Sequence, residues 1–186
     1  MSKIITISRE FGSGGRELGK RLAEALGVPC YDYQIIEMVA EKQGLDKEYV
    51  ENAAERDIRA FYPTTIGVRF SASTFFINQS VELFTEQTKV IRELASKGDC
   101  VIVGRCADFI LRNRDDCLNV FIHADMDYKA KRIVELYGVR DKSALKRLEE
   151  KDAKRAVNYK YFTGREWGNI DNYHISLDSS VLGSDA

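Results

Sequence analysis

The sequence has little of what marks a metal site, a secreted protein or a membrane protein. It has two histidines, His123 and His174, and four cysteines, Cys30, Cys100, Cys106 and Cys117. No C-x-x-C pair occurs, so the spacing of a structural zinc site is absent. Met1-Ser2-Lys3 leads straight into an apolar stretch, without the n-region and h-region of a signal peptide. The expectation is therefore reduced thiols in a cytoplasmic protein. No apolar run approaches the ~20 residues that cross a bilayer. Twenty-eight basic residues stand against 29 acidic ones, a net charge of −1, so no global field attracts nucleic acid or a membrane. Internal repeats and low-complexity tracts are also missing. What remains, 44% hydrophobic and 31% charged, describes a soluble globular protein, and 186 residues are enough for one α/β domain with a substantial core.

The most informative stretch is Ile4-Ile5-Thr6-Ile7-Ser8-Arg9-Glu10-Phe11-Gly12-Ser13-Gly14-Gly15-Arg16-Glu17. It runs from an apolar strand through a glycine-rich turn into a helix. Such an order places bare backbone N–H groups at the positive end of a helix dipole, a cradle for phosphate. A Walker A loop, G-x-x-x-x-G-K-[ST], would carry a lysine. The segment Gly14 to Lys20 fits that spacing, but Arg21 follows where Ser or Thr belongs. Leu18, Leu22, Ala25 and Leu26 form one helix face, so the helix is running by Leu18. At about 100° per residue, Lys20 then lies opposite Leu18 and Leu22, more than a turn inside the helix. The better register puts the turn at Gly12-Ser13-Gly14-Gly15, with Gly15 at the lysine position. A Rossmann fingerprint fails because Glu17 replaces its last glycine. A glycine turn without a ligand is the competing reading.

The rest alternates. Strands are expected at Lys3–Ser8, Val28–Tyr31, Cys100–Val103, Leu118–Ile122 and His174–Leu177. Helices are expected at Gly14–Leu26, Gln34–Lys42, Ser80–Ser96, from Asp125 to Tyr137, and from about Lys142 to Lys160. The region from Leu45 to Gln79 reads as less regular and carries aromatics from Phe61 to Phe76. Base stacking, a packed sub-core and a homodimer contact are three readings of that stretch. Five apolar strands separated by helices predict a doubly wound parallel sheet, with ligands at the strands' carboxyl ends.

At those ends stand Asp32, Arg105 and Asp108. Arg105 follows Val101-Ile102-Val103-Gly104 directly and can aim a planar fork at phosphate; an ion pair with Asp108 or Asp32 is the alternative. From Gly138 to Trp167 nine basic residues face five acidic ones, a local +4 just before the last strand. Solvated i,i+4 pairs such as Glu150 with Lys154 account for most of them. A mobile basic segment closing over phosphates is the functional reading.

Ile5 to Arg16, Val101 to Asp108, and Tyr173-His174-Ile175-Ser176-Leu177-Asp178-Ser179-Ser180 together resemble the cytidylate kinase-like family, over essentially the whole chain. The resemblance implies an α/β P-loop kinase fold: a three-layer sandwich with a five-stranded parallel sheet. It implies a helical acceptor-binding insertion at about 33–79 and a basic lid at about 138–167, in one domain spanning 1–186. It also implies ATP with Mg2+, nucleotide substrates, and a helix after the last strand, near which the sequence ends at Ala186. Gly12, Ser13, Gly14, Gly15, Arg16 and Glu17 occupy the place of its phosphate loop. Arg105 matches the arginine that holds the acceptor phosphate, with Asp32 and Asp108 as further acceptor candidates. Arg147, Lys151, Asp152 and Arg155 fall in the lid. Two departures stand out: Gly15-Arg16-Glu17 replaces Lys-Gly-Thr, and Val103 and Cys106 replace the acids flanking Gly-Arg. Arg16, Arg105 and Arg155 are then the catalytic candidates. Glu17, Asp32 and Asp108 are the carboxylates that could reach a metal through water. The expected activity is transfer of a nucleotide's γ-phosphate to a small phosphorylated acceptor, most simply a nucleoside monophosphate. The alternatives are a non-catalytic nucleotide- or anion-binding regulator and a kinase of another small molecule.

Overall fold

The computed structural model describes residues 3–54, 70–138 and 141–182. Its centre is a five-stranded parallel sheet of β1 (Ile4–Arg9), β2 (Cys30–Tyr31), β3 (Cys100–Val103), β4 (Cys117–His123) and β5 (Ile175–Asp178), in the order β2-β3-β1-β4-β5. β1 lies between β3 and β4, with Ile7 opposite both Val103 and Val120. That position explains why it is buried almost throughout, Thr6 and Ser8 included, because a central parallel strand is covered on both faces. The edge strand β5 stays half exposed.

Helices cover the two faces. On one, α2 (Tyr33–Gln43), α3 (Lys47–Ala54) and α4 (Phe70–Lys97) pack Ile35, Ile36, Val39, Val50, Val90 and Ile91 against the sheet. On the other, α1 (Gly15–Leu26) packs Leu18, Leu22 and Ala23 over Ile7, Val101 and Val103. Gly19 allows this close approach, since a Cβ there would sit 2.8 Å from Val103 Cγ2. After the short α5 (Ala107–Ile110) and β4 come α6 (Met126–Tyr137) and α7 (Asp141–Thr163), joined through Ile133, Ala144, Leu148 and Phe11. The four-residue α8 (Ser179–Leu182) follows β5.

The expected elements are present, and α3, α5 and an earlier start of α4 are additional to them. α3 interrupts the stretch read as less regular; Asp46 Oδ1 caps it, accepting from Glu48 N at 2.9 Å and Tyr49 N at 3.2 Å. α4 begins at Phe70, ten residues before Ser80, so Phe75 and Phe76 are helical. Residues 61–69 of the aromatic stretch lie outside the described residues.

Candidate active site

Two cavities open at the carboxyl ends of β1 and β3. The wider, about 450 Å³, is bordered by the glycine loop, Asp32 and residues of α6 and α7. The narrower, about 140 Å³, lies between α2, α3 and α4 on one side and α7 on the other. Arg9, Arg105, Lys151 and Arg155 border both. The cations predicted for the strand end and for the 138–167 segment, Arg105, Lys151 and Arg155, therefore meet Arg9 at one wall, while Arg16 borders only the wider cavity.

The glycine loop is shaped by its neighbours. Gly12 and Gly14 have φ of +82° and +80°, the left-handed region that glycine enters without strain. A side chain at 12 would press on Lys129 and Leu148, and one at 14 on the Arg132 guanidinium. Ser13 is fully buried; its Oγ donates to Glu10 O at 2.9 Å, and Ser179 Oγ lies 2.6 Å from its carbonyl. α1 starts at Gly15, and its first intrahelical bond runs from Leu18 N to Gly14 O. The N–H groups of Gly15, Arg16 and Glu17 thus have no helical acceptor, and Gly14 at the N-cap has no side chain to take them. Arg16 is half exposed, and its Nε lies 2.5 Å from Asp32 Oδ2.

Lys20 departs from expectation. It borders the wider cavity together with Arg16. The rotation that turns Lys20 away from Leu18 also sets it over Arg16, four residues earlier on one face, and helical side chains lean toward the N-terminus.

Arg105 sits at φ +59° and Cys106 at +55°, both left-handed and strained for non-glycine residues. Gln87 Nε2 holds the Arg105 carbonyl at 3.0 Å. The Arg105 Nε is buried without a hydrogen-bond partner among the described residues. No ion pair joins Arg105 to Asp108 or Asp32 there. Asp108 is 2% exposed and borders neither cavity; its oxygens accept from Tyr159 at 2.5 Å and Ser8 at 3.3 Å, and burial pushes its carboxyl up. It fastens α7 to β1.

α7 turns one stripe inward: Ala144, Leu148, Asp152, Arg155 and Tyr159, spaced by three and four residues. Asp152 Oδ1 accepts from Phe11 N at 2.7 Å and Arg155 at 3.3 Å, while Arg155 Nη1 also donates to Arg9 O at 3.2 Å. Arg155 lies over the Phe11 ring. α7 therefore packs directly on the start of the glycine loop. Arg147 is exposed and borders neither cavity. Glu150 pairs with Lys146 at 3.8 Å, and Lys154 borders the narrower cavity.

No group of three or more metal-ligating side chains occurs among the described residues. Of the carboxylates around the wider cavity, Glu10 pairs with Lys129 and Glu17 with Arg132, both at 2.8 Å, and Asp32 with Arg16, while Glu51 shares a hydrogen bond with Tyr33. These residues do not fit a magnesium site of the chain's own making.

The decisive comparison is with family models: the cytidylate kinase-like family model matches residues 4–181. The chain belongs to the cytidylate kinase-like family. It is similar to cytidylate kinase of Methanopyrus kandleri, 25% identical with 100% of this chain and 89% of that protein covered. A second cytidylate kinase, from Aeropyrum pernix, is 26% identical over 94% of this chain and 88% of its own length. Among solved structures, an uncharacterized protein from Eubacterium ventriosum superposes with a TM-score of 0.74 at 29% identity, covering 98% of this chain and 91% of that one. Shikimate kinase from Bacteroides thetaiotaomicron follows with a TM-score of 0.54 at 16% identity, over 96% and 87% of the chains. The fold is that of the α/β P-loop kinases. No helix among the described residues is long and apolar enough to cross a membrane.

Several members of the site carried no flag in the sequence. Arg9 ends a strand, and Gln87, Asn158 and Tyr159 sit inside helices. Phe84 of α4 and Phe162 of α7 stack at 4.2 Å and 7° beside the narrower cavity. Lys129, 5% exposed, lies on α6.

Proposed function

We propose that this chain is a nucleotide kinase that moves the γ-phosphate of a nucleoside triphosphate, supplied with magnesium, to a nucleoside monophosphate in the cytoplasm. The observation that carries this reading is the wall of four cations bordering both cavities. Phosphoryl transfer needs two anions brought end to end and charge placed where they meet, with no covalent group from the protein. The wider cavity takes the triphosphate over the N–H groups of Gly15, Arg16 and Glu17. The narrower one, with apolar walls from Ile36, Val39 and Leu83 and amides from Gln87 and Asn158, suits a base and its sugar. Arg105 holds the acceptor phosphate, and Arg155 stabilises the transferring group.

In the wider cavity Arg16 exchanges its contact with Asp32 for a donor phosphate, while Asp32 keeps Arg9 in place. α7, packed on the loop, excludes water, which would otherwise compete as acceptor.

The test is transfer from ATP, in magnesium buffer, to each common nucleoside monophosphate, beside thermal-shift binding. Ligand at 100 times its Kd adds about 2.7 kcal/mol of stability, which is readily seen. Arg105→Met is expected to raise the acceptor's KM far more than the donor's Kd. A chain that binds ATP and transfers to no acceptor would favour a binding regulator instead.

A further inference from the structure

The glycine loop lacks the lysine that bridges phosphates in Walker A motifs, and the structure shows what occupies its space. With the motif's last glycine at Gly14 and its lysine position at Gly15, G-x-x-x-x-G-K begins at position 9. That residue is Arg9. The chain thus reads Arg9-x-x-x-x-Gly14-Gly15, with the basic residue and the glycine exchanged between the motif's two ends.

The exchange is spatial as well. A Cβ on Gly15 would lie 2.5 Å from Arg9 Cβ and 3.1 Å from its Cγ, so the stem of Arg9 fills the path a side chain at 15 would take. The Arg9 guanidinium then lies against Gly104, whose missing Cβ leaves room for it. Two glycines, one opening α1 and one following β3, mould the bed of one side chain. Arg9 reaches the wall between the cavities with 19% of its side chain exposed, and 4.0 Å separates it from Asp32.

Charge there is in excess. Arg155, Arg105 and Arg16 surround Arg9, and Asp32 is shared with Arg16. Burial first, then repulsion from Arg155, Arg105 and Arg16 against the pull of Asp32, pushes the Arg9 guanidinium down to about 9, so it stays charged at neutral pH. An anion at this wall relieves that repulsion.

We propose that Arg9 does the work of the absent Walker lysine, its guanidinium bridging the β- and γ-phosphates of the bound triphosphate from the β1 side of the loop. This rests on the phosphotransfer reading above. An oxygen of the acceptor phosphate bonds to the γ-phosphorus as the bond to the β,γ-bridging oxygen breaks, and that electron pair leaves on the diphosphate. Arg9 keeps its proton throughout and acts as a fixed charge with two donors in one plane.

The experiment uses the full chain with ATP in magnesium buffer and the best nucleoside monophosphate, reading single-turnover transfer, calorimetric affinity for ATP and AMP, and thermal unfolding. Arg9→Gln is expected to slow transfer by about 10²–10³-fold and to weaken ATP far more than AMP, which lacks the bridged phosphates. Gly15→Lys alone is expected to lose function through collision with Arg9. The double variant Arg9→Gly/Gly15→Lys, which rebuilds G-x-x-x-x-G-K, is expected to transfer at least tenfold faster than Arg9→Gly, a recovery that a purely structural arginine would not give. A folded Arg9→Gln with wild-type transfer and ATP affinity would overturn the proposal. Should that variant not fold, a folded double variant no faster than Arg9→Gly overturns it. If the wild type transfers to no acceptor, the kinase reading fails by itself; Arg9 is then judged on affinity, and equal ATP binding by Arg9→Gln and wild type overturns its role.

Discussion

Arg155→Ala should separate transition-state stabilisation from folding and ground-state binding. Arg155 donates to the Arg9 carbonyl at 3.2 Å, pairs with Asp152 at 3.3 Å and lies 5.6 Å from the Phe11 ring centre. It is 26% exposed, so the ion pair contributes at most about 1 kcal/mol. The contact with Phe11 adds roughly 0.5–1 kcal/mol. Asp152 keeps its bond from Phe11 N, so truncation does not leave that carboxylate bare. A loss of about 2 kcal/mol lies inside the ~5–15 kcal/mol margin of a domain. If Arg155 meets the charge that spreads over the γ-phosphoryl oxygens, removing it costs on the order of 10³-fold in rate, about 4 kcal/mol. The second quantity exceeds the first, so a folded variant that binds ATP near wild-type affinity and hardly turns over is the expected outcome. Single-turnover transfer, equilibrium ATP binding and thermal unfolding on the same preparation decide it. Wild-type single-turnover transfer in Arg155→Ala would remove this residue from the mechanism.

Three further outcomes follow from the geometry. Arg16→Ala should weaken ATP by about 1.5 kcal/mol, the lower end for a charged hydrogen bond because the side chain is half exposed; Lys20→Ala should cost less, about threefold in affinity and only at low salt, and equal losses at high salt would show that Lys20 makes a direct contact. Asp108 and Asp152 are both pushed up by burial, so the folded chain holds their protons to higher pH than the unfolded one, and stability falls as pH rises from about 4; Asp108→Asn, which still accepts from Tyr159, should flatten that fall in denaturant titrations, and an unchanged slope would refute it. Trp167, the one tryptophan, borders the narrower cavity, so a nucleoside monophosphate should shift its emission; Phe162→Ala, which removes the stack on Phe84, should weaken that response, and an acceptor bound without any emission change would place it elsewhere.

The first strand, the glycine turn and α1 were legible because hydrophobic period changes abruptly from continuous to helical across three glycines. Arg105 was legible because it follows an apolar strand directly. Arg9 was not: at the end of β1 it reads as an ordinary polar terminus, and its importance depends on Gly15 and Gly104, the second ninety-five residues away in sequence. Lys20 was misjudged because its angle was measured from the apolar face alone and not from Arg16. α3 was missed although Asp46 offers an N-cap, since its eight residues span only about two turns, too few to set a helical repeat apart from a loop. Asp108 looked like a ligand-facing acid by position; only the packing of Tyr159 from α7, fifty-one residues on, shows that it is buried.

Because one row of guanidinium and ammonium groups serves both cavities, two anions cannot bind there independently. Whichever arrives first neutralises charge the other would use, and the resulting coupling is reciprocal by thermodynamic necessity. Excess acceptor should therefore compete with the donor, and the donor with the acceptor. A compound carrying two nucleosides on one polyphosphate escapes this conflict: once one end is seated, the other arrives at an effective concentration of the order of millimolar. The number of phosphates in the tether that gives the tightest binding would measure, in solution, the span between the two cavities.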